Sequence, residues 1–556
     1  MNCMEGGKSA TSLKQSAILA GLATFFFVVL ACQWSFVLTM PSDPLEYVAP
    51  ALHPEQSFPY LDRIVLWLWI RLVAMFPMPL EIIGPVSTLI VTATMLFIAT
   101  WWLERIQPLA GSIFAAVYIT SPMILGIATY TYPMQLMTLV LLLSLISMDF
   151  LQWKNSRHLI GGVGCGIASL CKIQGGAFFG FLLIDVFVRK DRRLTNLVSA
   201  CCGIVIGISI IFMIVVITDG PFQLITVFKQ YFQADTLNAQ WYGRQLGNLP
   251  PFYKYLFEPT CVIACAGILL PWADTKLFRF RPFAATAAVQ FVFLLGIYVI
   301  TQRGGLIIHN YSIDTFVFGV IAFAGSVAII FKSERLSFWK QILIGFSLIS
   351  CSFLIVEYFG YFSKEVAVYK PHRISLNFSV ILAIVAAWVS VFVIFGMQRL
   401  TLKKKKLHLS IFFVSLLLAL SVSIRAGEGV KDGKFRKQWS APYHIIGRQV
   451  TRLKDYSTWV CVKENHKTIS EGSLAAKQIF DAFYFRENNK KRINVKLVFG
   501  ADDPISFRFL ITDQAYLINK YSNLQIKTVK DKFRNGYLIA VVDRVTGSVN
   551  FLPSES

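Results

Sequence analysis

The sequence predicts a polytopic α-helical membrane protein with a small C-terminal α/β domain, and three observations predict it. The 556 residues are 55% hydrophobic and only 15% charged, above the roughly 45–50% apolar content of soluble domains. Apolar runs of about 17–25 residues, long enough to cross the hydrocarbon layer as helices, recur to about residue 424 and then stop. Lys and Arg gather in every second short loop, the pattern that holds such loops in the cytoplasm.

The first run, Ala17 to Thr39, follows a tail bearing Lys8 and Lys14. It is too long for the apolar region of a signal peptide and lacks a clear small-residue cleavage site, so it reads as a retained helix. With the N-terminal tail in the cytoplasm, hydropathy and loop charge predict about thirteen spans. They lie near 16–38, 82–103, 109–127, 133–151, 158–171, 174–188, 195–218, 257–273, 284–301, 313–331, 341–359, 375–397 and 408–424. The basic loops carry Lys154 and Arg157; Arg189, Lys190, Arg192 and Arg193; Lys276, Arg279 and Arg281; Lys332, Arg335 and Lys340; and Arg399 with Lys403 to Lys406. An odd number of spans places the termini on opposite sides. The first loop and everything beyond Gly427 then face the exterior, dividing the chain into a transmembrane unit, 1–425, and an extracytoplasmic α/β unit, 426–556.

The net charge of +22 would suggest nucleic acid if the positive residues did not sit beside the membrane; no nucleic-acid partner is expected. Eight of the ten cysteines are spread through apolar spans, with Cys3 in the tail and Cys461 alone in the polar end, which excludes a secreted disulfide framework. Cys261 and Cys265 share a helical face but have no further ligands beside them, so they read as packing residues.

The first loop, about 39–81, contains "YLDRIVLWLWIRLVAMF", an apolar segment interrupted by Asp62, Arg63 and Arg71. It is expected to lie along the interface, because counting it as a span would invert every later loop and move the Lys403 cluster outside. After Arg425 the composition shifts to "AGEGVKDGKFRK". Beyond it, "APYHIIGRQVTRLKDY" and "SLAAKQIFDAFYF" have helical periodicity, while "TWVCV", "INVKLVF", "FRFLIT" and "YLIAVVD" read as short buried strands. Residues 426–556 hold 22 Lys and Arg against 13 Asp and Glu, which suits either a surface near anionic headgroups or an ordinary solvated one.

Three exterior loops carry candidate chemistry. In "SDPLEYVAPALHPEQSFPY", Asp43 and Glu46 are three apart and share a face if the stretch is helical, with Tyr47 and Tyr60 beside them. A partly desolvated carboxylate can act as a general base or hold a cation; the same spacing also fits a helix N-cap. In "LCKIQGGAFFG", Lys172 interrupts two apolar segments at an exterior turn, where it can meet a phosphate or simply snorkel. The upstream "GGVGCG" lies within a span, where glycines allow close helix packing rather than cradle a nucleotide. In "TQRGGLIIHNYSID", Arg303, His309 and Tyr311 share a third exterior loop; arginine suits bidentate phosphate binding and histidine can donate to a leaving oxygen. Together the three loops suggest a site for a phosphate-bearing lipid at the outer membrane boundary.

The order of these elements resembles the membrane-embedded glycosyltransferases of GT-C fold, in particular the branch of protein O-mannosyltransferases and the lipid A aminoarabinose transferase. "SDPLEYVAPA" resembles the acidic motif of their first exterior loop, and "SFPYLDRIVLWLW" the Pro-Pro-Leu-Tyr segment after it. "YITSPMILGIATYTYPMQLMTLVLLLSL" is similar to their third and fourth helices, "GGVGCGIASLCKIQGGAFFGFLLI" to their Gly-rich hairpin ending in Thr-Lys, and "HNYSIDTFVFGVIA" to a later stretch with a basic residue and Tyr. The likeness covers roughly residues 15–330. Tyr132, Pro133 and Met134 stand where a second acid is often found, and Pro44 stands where relatives commonly carry another, leaving Glu46 as a substitute.

The resemblance implies transfer of one sugar from a polyprenyl-phosphate carrier to a lipid, glycan or protein acceptor at the exterior membrane face. Asp43 and Glu46 would be catalytic; Lys172, Arg303 and His309 would bind the donor phosphate; Tyr47, Tyr60 and Tyr311 would contact substrate. No cofactor is required for such a transfer. A divalent cation stays open, but no ligand motif supports one. The expected location is a bacterial inner membrane, in contact with membrane lipids. The alternative is a transporter or flippase of a lipid-linked saccharide, although no internal repeat of the kind common in transporters is visible. An oligosaccharyltransferase would carry a Trp-Trp-Asp motif that this sequence lacks.

Overall fold

The computed structural model describes residues 10–34, 36, 38–39, 43–52, 61–151, 156–189, 193–222, 224–225, 259–301, 313–332, 444, 459–462, 479, 495–498, 509–512, 515–534 and 537–553. The expected spans near 341–359, 375–397 and 408–424 lie outside these residues.

The described part of the membrane unit is a helical bundle: α1 (Ala10–Trp34), α2 (Asp43–Leu52), α3 (Ile64–Ala74), α4 (Leu80–Ile106), α5 (Pro108–Thr120), α6 (Pro122–Ile127), α7 (Pro133–Phe150), α8 (Ser156–Cys171), α9 (Phe178–Arg189), α10 (Arg193–Asp219), α11 (Pro259–Leu269), α12 (Arg281–Thr301) and α13 (Ile313–Lys332). Four helical stretches among the described residues are long and apolar enough to cross a membrane: Leu80–Ile106, Pro133–Phe150, Arg193–Asp219 and Thr275–Gly296. The protein is an integral membrane protein, and the expected number of about thirteen spans is not reached by these elements.

Local sequence explains the departures. The stretch expected as one helix over 109–127 is two, because Pro122 forces Ser121 into extended backbone (φ −69°, ψ 117°). The Ser121 hydroxyl then caps α6 through the Ile124 amide at 3.4 Å. The helix expected over 174–188 opens with a 3₁₀ turn, Ile173–Ala177. α3 has 11 residues, about 16 Å at ~1.5 Å per residue, half the hydrocarbon thickness. That length fits the interfacial placement and does not allow a crossing.

Helix directions follow from side-chain contacts. α4 and α7 run parallel: a Cβ at Gly84 would press on Thr131, just ahead of α7, while the Trp102 indole donates to Asp149 at 3.2 Å at the far end. α8 returns antiparallel to α7, with Gly164 against Ser144 and Gly161 against Met148. α10 runs parallel to α8, with Gly203 on Leu159 and Gly207 on Val163. Away from α8, α10 exposes Val205, Met213 and Ile217, as suits a helix whose solvent is hydrocarbon.

One end of the bundle carries the described residues of the basic loops, Arg157, Arg193, Arg279 and Arg281 among them, and is held by ion pairs. Arg279 donates to Asp149 at 2.7 Å. Asp185 of α9 meets Arg157 at 3.2 Å and His158 at 3.1 Å, both from α8. Charges in a low-dielectric setting are costly unless paired, and removing one partner strands the other. Asp149→Ala is therefore expected to cost about 2–4 kcal/mol, since it leaves both Arg279 and the Trp102 indole without this acceptor. A thermal melt of the protein in detergent checks this, and an unchanged midpoint would refute it.

Among the described residues of the C-terminal part, five strands form a sheet in the order β2-β1-β3-β4-β5. Its strands are β1 (Trp459–Val462), β2 (Val495–Val498), β3 (Phe509–Thr512), β4 (Tyr537–Asp543) and β5 (Val549–Pro553). β1 pairs in parallel with β2 and β3, and β4 is antiparallel to both of its neighbours. The four expected strands are present; β5, α14 (Ala515–Tyr521) and α15 (Ile526–Arg534) are additions. Gly547, at φ +67°, closes the β4–β5 hairpin by donating to the Asp543 carbonyl at 2.7 Å, a backbone conformation that favours glycine. Alternation along β4 splits its burial: Ala540 and Val542 join Leu510, Leu517, Ile518 and Val529 in a small core, while Val541 joins Ile479 in the core of the helical bundle. The two segments expected to be helical, 441–456 and 473–485, lie outside the described residues except for His444 and Ile479, both helical and fully buried.

Candidate functional site

The site is built at the end opposite the basic loops, where the chain leaves α1. Thr39 is pinned there: its amide and hydroxyl both donate to the Glu81 carbonyl, at 2.9 and 2.8 Å. Its own carbonyl lies 2.8 Å from His444 Nε2. A carbonyl only accepts, so that nitrogen carries the proton. His444, from the C-terminal part of the chain, thus reaches back to the root of the first loop.

α2 begins at Asp43, with Pro44 in its first turn, where a missing N–H is harmless. Helical periodicity puts positions 43, 46 and 47 on one side of α2. Pro50 falls inside the helix and cannot donate to the Glu46 carbonyl four residues back; the Trp67 indole of α3 docks on the Pro50 carbonyl at 2.9 Å. Val48 and Thr131 converge on Gly84, where no Cβ would fit. This close approach seats α2 on α4.

Tyr47 is buried, edge-on to Tyr132 with centroids 5.6 Å apart, and Tyr132 stacks on Tyr130. The Arg63 guanidinium covers the Tyr47 ring at 4.7 Å, a cation–π contact. With 5% of its surface exposed, Tyr47 seats the acidic helix against the α6–α7 turn, where sequence reasoning expected a substrate contact.

Lys172 lies between α8 and the 3₁₀ turn with extended backbone (φ −161°, ψ 137°) and a partly exposed side chain. α8 packs against the Leu61–Arg63 turn and α3, and α2 packs against α3 and α4. Since α8 is antiparallel to α7, its C-terminal end lies at the same end of the bundle as Tyr132 and α2. The helices carrying Asp43, Glu46 and Lys172 therefore present these positions at one end. Tyr60, Arg303, His309 and Tyr311 lie outside the described residues, as do the side chains of Asp43 and Glu46. Among the described residues, no three His, Cys, Asp or Glu converge as metal ligands.

Sequence reasoning overlooked a buried polar cluster at the same end. Asp314, in the first turn of α13, is fully buried. It accepts from Gln174 Nε2 at 3.1 Å and from the Thr315 amide at 2.7 Å. Gln290 of α12, with its amide turned to donate, reaches the same carboxylate at 3.1 Å. The available signal was a pair of glutamines and an acid inside otherwise apolar segments, groups that need partners once buried.

No family model matches this sequence, and no curated protein does. Among solved structures, the chain is similar to ArnT from Cupriavidus metallidurans. Against the crystal structure of ArnT bound to undecaprenyl phosphate, the identity is 16% and the TM-score 0.50, over 89% of this chain and 87% of that one. The chain has the GT-C fold of ArnT. The apo crystal structure of ArnT gives 14% identity and a TM-score of 0.49 over 86% of each chain. The ArnT likeness extends past the motif region of residues 15–330 to most of the chain, and so includes the C-terminal part.

Proposed function

We propose that the chain is a membrane glycosyltransferase. It moves a single sugar from a polyprenyl-phosphate carrier to a lipid, glycan or protein acceptor at the extracytoplasmic face, in a bacterial inner membrane and with the C-terminal domain outside. The observation that carries this reading is the arrival of the acidic helix α2 and the Lys172 turn at one end of the bundle, opposite the basic loops. The fold shared with ArnT, a protein crystallised with undecaprenyl phosphate, supports it.

In this reading the acceptor hydroxyl oxygen bonds to the anomeric carbon as the bond from that carbon to the phosphate oxygen breaks. The lipid phosphate leaves with the electron pair, and Asp43, on the same helix face as Glu46, takes the hydroxyl proton. Lys172 and Arg303 stabilise the charge that develops on the phosphate, His309 donates to the leaving oxygen, and Tyr60 and Tyr311 contact substrate. Attack opposite the leaving group inverts the sugar carbon. If the acceptor is itself a phosphate, no proton is removed and Asp43 orients it. No cofactor is needed for these steps.

The test is purified protein in vesicles with a panel of polyprenyl-phosphate sugars, following release of the free lipid phosphate. Release with sugar transfer is expected; movement of the intact donor across the bilayer without release would instead indicate a flippase. Lys172→Ala is expected to lower kcat/KM for the accepted donor about 10–100-fold, the equivalent of one charge-assisted hydrogen bond of about 1.5–3 kcal/mol. Unchanged donor dependence would reduce Lys172 to a helix-end anchor.

A further inference from the structure

The polar cluster around Asp314 takes no part in the transfer steps, yet it places a carboxyl group with no exposed surface inside an apolar bundle. Capping α13 alone would not require burial, since Ser or Asn caps at lower cost. What the burial achieves is a link between three segments. Asp314 belongs to α13, Gln290 to α12, and Gln174 to the 3₁₀ turn that follows Lys172. Gln290 also reaches the Gln174 carbonyl at 3.3 Å in its donating orientation. The N-terminus of α13 favours an anion at this point, and three donors converge on the carboxylate.

The other side of that turn is equally constrained. Lys172 donates its amide to the Ala168 carbonyl at 3.0 Å, and its own carbonyl accepts from Gly175 at 2.8 Å. Gly175 lies so close to the Ala168 backbone that a Cβ there would clash. The turn is thus gripped by α8 on one side and by Asp314 through Gln174 on the other. Lysine carries its charge on a flexible four-carbon stem, so the location of its ammonium group depends on how firmly its backbone is mounted.

We infer that Asp314 and Gln174 are positioning residues that fix the Lys172 turn and so hold the lysine against the donor phosphate. This rests on the reading of Lys172 as a phosphate contact. The test substitutes Gln174→Met, which keeps side-chain length but removes the amide, leaving Asp314 its Thr315 and Gln290 donors. The measurement is the Kd for undecaprenyl phosphate in detergent micelles, for Gln174→Met, Lys172→Ala and the double variant.

Each single variant is expected to raise Kd about tenfold, a modest misplacement penalty, and the double variant no further than Lys172→Ala alone, since both act through one contact. Should the Met variant not fold, Gln174→Asn, which withdraws the amide by one methylene, gives the same comparison. The inference is overturned if the two effects add, or if only Lys172→Ala weakens binding. If Lys172→Ala leaves Kd unchanged, the lysine is not a phosphate contact and both readings fall.

Discussion

Asp43→Asn is expected to lower sugar transfer by about 10²–10⁴-fold, the usual contribution of a positioned general base, with membrane insertion and melting temperature unchanged. Asparagine is the informative substitution because the competing role for Asp43 is structural. The residue opens α2, and Ser42 or Asp43 followed by Glu46 also matches a capping pattern. Asparagine caps a helix as well as aspartate does, and its lost charge weakens the favourable helix-dipole term by only about 0.3–1 kcal/mol. A purely structural Asp43 would therefore tolerate Asn, whereas a base would not. Alanine would blur the two, adding about 1 kcal/mol of cap loss to any chemical defect. Full activity in a normally expressed Asp43→Asn protein would remove Asp43 from the mechanism and shift attention to Glu46, one turn along the same face. With a phosphate acceptor the loss is expected in the acceptor KM, since no proton is then abstracted.

Much of this arrangement is legible before any coordinates. The short amphipathic α3 follows from charges inside an apolar run, whereas hydropathy alone joins α5 and α6 into one span over 109–127 and passes over the break that Ser121-Pro122 imposes. Four of the five strands are readable because Val, Ile and Phe runs are bounded by turn residues. β5 escaped because "SVNFLP" is short and polar at its start, and its pairing depends on a Gly547 turn rather than on its own propensity. Asp314 escaped for a different reason. An acid in the first turn of a helix is so ordinary a dipole partner that its sequence position raises no question. Its burial becomes apparent only when Gln174 and Gln290, 140 and 24 positions away in the sequence, arrive from two other segments. Tyr47 shows what sequence position leaves out: a tyrosine beside two acids reads as a substrate contact, and only the fold reveals that Tyr132 and Arg63 pack against its ring.

The largest expected effect on folding comes from the "GGVGCG" glycines. Gly162 and Gly166 of α8 face Gly203 and Gly207 of α10, each pair four residues apart. At all four positions a Cβ would come closer than 3.0 Å to a backbone atom of the other helix: Ala200 for Gly162, Ile204 for Gly166, Leu159 for Gly203 and Val163 for Gly207. Backbone cannot move aside as a side-chain tip can, so the helices must separate, and in lipid they have no hydrophobic drive to recover the lost contact. Gly162→Leu is expected to cost at least about 3 kcal/mol, the upper end of overpacking penalties, visible as loss of the monodisperse detergent-extracted protein. Gly21→Leu is the control, because nothing lies within 4 Å of a Cβ there; it should melt as the parent does. α8 ends at Cys171, immediately before Lys172, so any Gly162→Leu protein that survives should also bind undecaprenyl phosphate more weakly. Parent-like yield and melting in Gly162→Leu would mean that the two helices do not meet at these glycines.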